Sequence, residues 1–86
     1  MWYVYCLHSK EGNGYYIGST GDLRRRLIEH HSGNCQTTSR MKVLKLVYYE
    51  ASNSKADAMI REKQLKTGFG RAYLKRRLKN FLADLD

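Results

Sequence analysis

Residues 2–8, WYVYCLH, suit a strand: aromatic and β-branched side chains dominate, with Tyr3, Tyr5 and Leu7 on one face and Trp2, Val4 and Cys6 on the other. A polar stretch from Ser9 to Gly14, with Gly12-Asn13-Gly14, supplies turn chemistry. Tyr15-Tyr16-Ile17-Gly18 then returns as a second strand, so a hairpin is expected. Thr20 or Asp22 caps a helix from Leu23 to His31, which Gly33 ends. After a polar loop from Asn34 to Met41, Val43 to Glu50 (VLKLVYYE) forms a third strand. Ser54 with Asp57 three residues on resembles a capping box, opening a helix from Lys55 to Lys66. Thr67-Gly68-Phe69-Gly70 breaks it, and a last helix runs from Arg71 to Leu85, with Leu74, Leu78, Phe81 and Leu85 along one buried stripe. The order ββαβαα predicts an α+β fold, a small three-stranded antiparallel sheet flanked by helices.

Eighty-six residues suit a single domain over 1–86, with one core and no room for a separate recognition domain. Charge adds the first functional clue. Sixteen Lys and Arg against eight Asp and Glu give a net +8, which favours a polyanionic partner such as DNA, RNA or an anionic membrane surface. The basic residues gather in two blocks, Arg24-Arg25-Arg26 and a later set that includes Arg61, Lys63, Lys66, Arg71, Lys75 and Arg76. Two such blocks could line one groove. The two cysteines, Cys6 and Cys35, form no C-x-x-C pair and no disulfide framework, which fits a reducing compartment. Met1 to Leu7 lacks the basic start and long apolar run of a secretory signal, and no stretch approaches a membrane span. A soluble, cytoplasmic protein without a membrane partner is expected.

Glu62 is the most informative single residue. On a helical wheel Ala58, Met59 and Leu65 lie close to it, so a carboxylate interrupts an apolar face, while Ile60 falls opposite. A metal or a basic partner would offset the lost hydration, and a buried salt bridge would do so as well. Arg26 stands out from its neighbours because His30 follows four residues later and Leu23 precedes it by three, placing all three on a face that borders the core. A guanidinium there can clamp a phosphate bidentately or serve a structural ion pair. Most of the seven tyrosines suit half-buried strand positions, and a phenol acts as a base only where a cation lowers its pKa. A zinc site from Cys6, His8, His31 and Cys35 matches no familiar ligand spacing. Gly68 and Gly70 follow a helix instead of opening one after a strand, which argues against a phosphate-binding loop.

Taken in order, Tyr3-Val4-Tyr5, Tyr16-Ile17-Gly18, Arg26, His30 and Glu62 resemble the GIY-YIG nuclease family. The match extends through Y-I-G-x-T-x-x-L-x-x-R-L-x-x-H, here Tyr16 to His30, and through Arg61-Glu62-Lys63-Gln64-Leu65-Lys66. It looks most like the small stand-alone YhbQ-like branch and covers essentially the whole chain. The first motif departs from the pattern, since Tyr3 stands in the glycine position, while Tyr5 is retained.

The resemblance implies a metal-dependent endonuclease hydrolysing phosphodiester bonds, with DNA as substrate and a place in repair or nucleic-acid processing. Glu62 would be the sole protein ligand of one divalent cation, Mg²⁺ or Mn²⁺. Either Tyr5 or Tyr16 would orient or deprotonate the attacking water. Arg26 would hold the scissile phosphate, and His30 would assist by hydrogen bonding or proton transfer. Arg24, Arg25, Lys63, Lys66 and Arg71 are the expected nucleic-acid contacts. A single Glu cannot support a two-metal clamp, and the remaining acids show no clustering in sequence, so one-metal hydrolysis is expected. The competing readings are a non-catalytic nucleic-acid-binding module with the same fold, and a small interaction protein whose basic face docks an acidic partner. Neither gives a reason for Tyr5, Tyr16, Arg26, His30 and Glu62 to occur together in this order.

Overall fold

The computed structural model describes residues 1–9, 14–32 and 44–84. The hairpin forms as the alternation predicts. β1 (Trp2–Ser9) and β2 (Gly14–Thr20) pair antiparallel, with Tyr5 opposite Gly18 and Leu7 opposite Tyr16. α1 (Leu23–His31) follows, and β3 (Leu44–Ser52) pairs antiparallel with the other edge of β1. The sheet order is therefore β2-β1-β3. α2 (Lys55–Leu65), α3 (Gly68–Arg77) and α4 (Lys79–Ala83) complete the described elements. The Gly12-Asn13 turn, Gly33, the expected loop from Asn34 to Met41, Cys35 and Leu85 lie outside the described residues.

β1 is the central strand, and from Val4 to Ser9 it is buried throughout, as a strand covered on both faces must be. Val4 and Cys6, with Ile17 of β2, meet Ala58, Leu65, Leu74 and Leu78 from the helices. Burial of each of these leucines contributes about 2 kcal/mol, so Leu65, Leu74 and Leu78 hold α2 and α3 to this face. Tyr5 points the other way, to α1. Between β1 and β3 the register steps from Cys6–Tyr48 to Leu7–Leu46, leaving Val47 as the extra residue of a β-bulge. The bulge lets Val47 and Tyr48 both pack on the core side.

The caps divide the work that the sequence left open between Thr20 and Asp22. The Asp22 carboxylate accepts the backbone N–H of Arg25 at 3.1 Å and caps α1, while the Thr20 hydroxyl accepts the N–H of Asp22 at 3.1 Å and holds the turn before it. Ser54 accepts from the N–H of Asp57, the expected start of α2.

α2 crosses all three strands and is fixed to β3 by a polar clamp. Arg61 donates from Nε and Nη2 to the Glu50 carboxylate, each at 3.0 Å, and its guanidinium lies over the Tyr73 ring, 4.7 Å from the centroid. Tyr48 donates to Glu50 at 2.6 Å and meets the Tyr73 hydroxyl at 2.7 Å. A two-pronged guanidinium–carboxylate pair with its remaining oxygens satisfied is the geometry in which an ion pair contributes most. Burial works against ionisation of Glu50, but the hydrogen bonds from Arg61 and Tyr48 outweigh it and hold the carboxyl below its ordinary pKa.

Four expectations are corrected. β3 runs to Ser52 instead of stopping at Glu50. Met59 lies off the buried face at 46% exposure, because the α2 stripe is carried by Ala58 and Leu65. The glycine-rich break between helices is the first turn of α3, which starts at Gly68 under a Thr67 cap that accepts from the Gly70 N–H; the expected single helix also breaks at Leu78, whose φ of −103° and ψ of 24° leave the helical range. Gly70 is required there because a Cβ would collide with the backbone of Leu65. Gly68 faces open space.

These two glycines give an internal control. Gly70→Ala should destabilise by about 1–3 kcal/mol through forced separation of α2 and α3, lowering the melting temperature by about 5 °C or more. Gly68→Ala should leave it unchanged or slightly raised, since alanine favours the helix. Thermal unfolding followed by circular dichroism distinguishes the pair.

Candidate active site

Tyr5 is the centre of the first cluster. Its ring is 1% exposed, and its hydroxyl lies 2.8 Å from Nε2 of His30, which is 2% exposed. Arg26 Nε donates to the same hydroxyl at 3.3 Å. The helical spacing of Arg26 and His30 thus does what i and i+4 neighbours can do, delivering both side chains to one atom. The Tyr16 ring completes the cluster, 5.0 Å from the His30 ring and 6.2 Å from that of Tyr5. Gly18 makes this possible: a Cβ there would stand 2.6 Å from the Tyr5 oxygen.

Electrostatics fix the resting charges. Arg26 is held even more firmly protonated than a free arginine, by its hydrogen bond to Tyr5 and then by Glu29, with a smaller contribution from Tyr16. Its Nη1 donates to Glu29 Oε1 at 3.1 Å. His30 is shifted down from its ordinary value, first by burial and then by the neighbouring Arg26 charge.

Glu62 reaches β2 from the opposite face of the sheet. Ser19, on the alternate side of the strand from Tyr16 and Gly18, donates to Glu62 Oε1 at 2.6 Å. Lys66 Nζ donates to Oε2 at 2.7 Å. Burial opposes ionisation of this carboxyl, yet Lys66 and Ser19 together hold its pKa below the ordinary range. Edge strand β2 therefore carries the tyrosine cluster on one face and the Ser19–Glu62 contact on the other.

An ionised, fixed carboxylate with a hydroxyl beside it suits a hard cation that keeps most of its waters, the habit of Mg²⁺. Zinc fits less well. Among the described residues no three His, Cys, Asp or Glu side chains are grouped to hold a metal. Cys6 lies fully in the core, where burial pushes its thiol up to about 12, and the His31 ring is engaged with the Leu44 carbonyl at 3.2 Å.

The basic residues are distributed over three depressions. Lys66 and Arg71 line a cleft of about 730 Å³ with Tyr15, Tyr16, Ile17 and Lys75. Arg25 and Arg26 share a smaller one of about 430 Å³ with Trp2, Thr20 and Glu29. Arg24 lines a third, about 630 Å³, beside Tyr3, Ile28 and Tyr49. Lys63 is exposed on α2. The cleft of Lys66 and Arg71 is the one that includes Tyr16.

Sequence reasoning reached Tyr5, Tyr16, Arg26, His30 and Glu62 but gave no part to Ser19 or Glu50. Ser19 lies 43 residues from Glu62 along the chain, and no local pattern announces their bond. The Glu62–Lys66 pair did carry a signal, a Glu four residues before a Lys on one helix.

Comparison with known proteins gives the family. A family model described as the GIY-YIG catalytic domain matches residues 1–75. A UPF0213 protein of Streptococcus pneumoniae is 43% identical over 65 residues, covering 74% of this chain and 65% of its own length. Similar proteins of the same name occur in Staphylococcus saprophyticus, 33% identical over 66 residues with 76% and 79% of the two chains covered, and in Halobacterium salinarum, 36% over 67 residues with 77% and 86% covered. The chain thus spans just under two thirds of the pneumococcal relative's length. No solved structure matches the chain. No helix among the described residues is long and apolar enough to cross a membrane. With Tyr5, Tyr16, Arg26, His30 and Glu62 arranged about strand β2, and a match to the catalytic-domain model over residues 1–75, the chain belongs to the GIY-YIG nuclease family.

Proposed function

We propose that this protein is a one-metal endonuclease that hydrolyses phosphodiester bonds in DNA, acting in repair or nucleic-acid processing. The observation that carries the reading is the Tyr5 hydroxyl held between Arg26 Nε and His30 Nε2. A phenol beside a cation and a neutral imidazole is one whose proton can move. Neutral His30 accepts at Nε2, and Tyr5 takes the proton of the attacking water as its own passes to the imidazole. The water oxygen bonds to phosphorus while the bond to the leaving oxygen breaks, and the leaving oxygen takes a proton from solvent.

Arg26 stabilises the charge that builds on the phosphoryl oxygens, exchanging its hold on Glu29 for the phosphate. Glu62, pinned by Ser19, would hold the divalent cation, Mg²⁺ or Mn²⁺. When bound, that cation supplies Lewis-acid stabilisation of the phosphate and a more acidic water. Tyr16 orders the cleft side, where Lys66 and Arg71 meet the nucleic-acid backbone. Arg24, Arg25 and Lys63 add longer-range attraction, consistent with the net charge of +8.

Labelled DNA and RNA incubated with Mg²⁺ or Mn²⁺ provide the direct test. Scission by the parent and none by Glu62→Ala, with binding retained, is the expected result. Tyr5→Phe should lower the rate by about 10²–10⁴-fold, the range for loss of a general base, and Tyr16→Phe by less. Salt-sensitive binding without scission by the parent would favour a nucleic-acid-binding module. Equal scission by the parent and Glu62→Ala would remove Glu62 from the mechanism.

A pH experiment isolates His30. Its folded pKa lies below the ordinary 6.5, so the unfolded chain binds this proton first on acidification. The stability it contributes is full above 6.5 and is lost as pH falls from there through the folded value. The depressed carboxyls Glu29, Glu50 and Glu62 act only below about 4.5. Melting temperature should therefore begin to fall as pH drops below about 6.5, before the carboxyls act, and His30→Gln should flatten that segment.

A further inference from the structure

We infer that Lys66 is a built-in cation that occupies the divalent-metal position on Glu62 in the resting protein and must be displaced before the metal binds. The inference rests on the proposed metal role of Glu62. Both carboxylate oxygens are claimed in the folded chain, Oε1 by Ser19 at 2.6 Å and Oε2 by Lys66 at 2.7 Å. The two donors differ in kind. Ser19 is fixed in a strand and carries no charge, so it orients the carboxylate without competing for a cation. Lys66 is a full charge on a flexible stem, at the C-cap of α2, with its side chain 52% exposed against 21% for Glu62.

The carboxylate stands beside buried Ala58 and Leu65, where an uncompensated charge is costly. A cation at Oε2 removes that cost, and the ammonium supplies it. Lys63 is the instructive neighbour. It lies next to Glu62 on the same helix, yet among the described residues the ion pair to Glu62 is made by Lys66 and not by Lys63. The seat therefore depends on geometry as well as on charge. Once displaced, the Lys66 ammonium remains in the cleft it already lines with Tyr16, Arg71 and Lys75, where a phosphate can receive it.

Mn²⁺ binding to the intact protein without nucleic acid tests this, read from the electron paramagnetic resonance signal of free Mn²⁺. Lys66→Gln, a change at an exposed position, should bind Mn²⁺ about threefold or more tighter than the parent, the scale of a half-exposed pair. Lys63→Gln, which removes the same charge without removing a hydrogen bond to Glu62, should stay within about twofold of the parent. Unchanged or weaker binding by Lys66→Gln overturns the inference, as does an equal gain from Lys63→Gln. Absence of Mn²⁺ binding by both parent and Lys66→Gln overturns it too. The result separates from the nuclease reading. Tighter Mn²⁺ binding by Lys66→Gln in a protein that cuts no substrate keeps the seat and removes the nuclease, while metal-dependent cutting with no Lys66 effect does the reverse.

Discussion

The site depends on one steric concession: the Tyr5 phenol occupies the space where residue 18 would carry a side chain. Tyr5 and Gly18 are cross-strand partners, and a Cβ at position 18 would stand 2.6 Å from the phenolic oxygen and 2.7 Å from the ring carbon that bears it. Real Cβ contacts essentially never come so close, so a larger residue at 18 would force the ring away. Only with the ring laid across β2 does its hydroxyl sit where α1 can deliver Arg26 and His30. The glycine of the Tyr16-Ile17-Gly18 segment is thus a matter of space. His30 is buried in the same cluster, and that burial shifts its pKa down, favouring the neutral imidazole.

Both charges central to the proposed chemistry rest in internal pairs. Arg26 is held by Glu29 at 3.1 Å and Glu62 by Lys66 at 2.7 Å, and each pair lies within one helix at i,i+3 or i,i+4 spacing. Such partly exposed pairs, screened by solvent, contribute little to stability. That is enough to position a side chain and too little to hold it against a phosphate or a divalent cation. The Glu50–Arg61 pair is built differently, with two guanidinium nitrogens, two tyrosine hydroxyls and an aromatic face in one network. The contrast separates groups arranged to exchange partners from groups arranged to stay.

Much of this was legible in the sequence wherever the signal was local. Alternation in residues 2–8 gave the faces of β1, the Gly-rich turn gave the hairpin, Thr20 or Asp22 gave the start of α1 with the capping residue left open, and Ser54 gave the start of α2. The four-residue step from Arg26 to His30 placed both on one face, and Tyr5 confirms it by touching both. Failures came where a distant element decided the outcome. Glycines at 68 and 70 read as a breaker on propensity, but close approach to Leu65 makes Gly70 the contact residue of a helix. Met59 fits the wheel, yet the sheet lies under Ala58 and Leu65. Ser19 and Glu50 act through partners on other elements, and no periodicity records a pairing between elements.

The rotation of α2 follows from the same long-range pairings. Arg61 and Glu62 are consecutive, so their side chains leave the helix about 100° apart. One goes to Glu50 on β3 and the other to Ser19 on β2, the two opposite edges of the sheet. With β1 between them, those edges lie roughly 10 Å apart, a span that long side chains reaching in opposite directions can cover. A helix tied to both edges by adjacent residues cannot roll toward one without breaking its bond to the other. Ala58 and Leu65, buried beneath, set its height. The position of the Glu62 carboxylate is therefore fixed by three independent contacts, of which one, Glu50 with Arg61, never touches it.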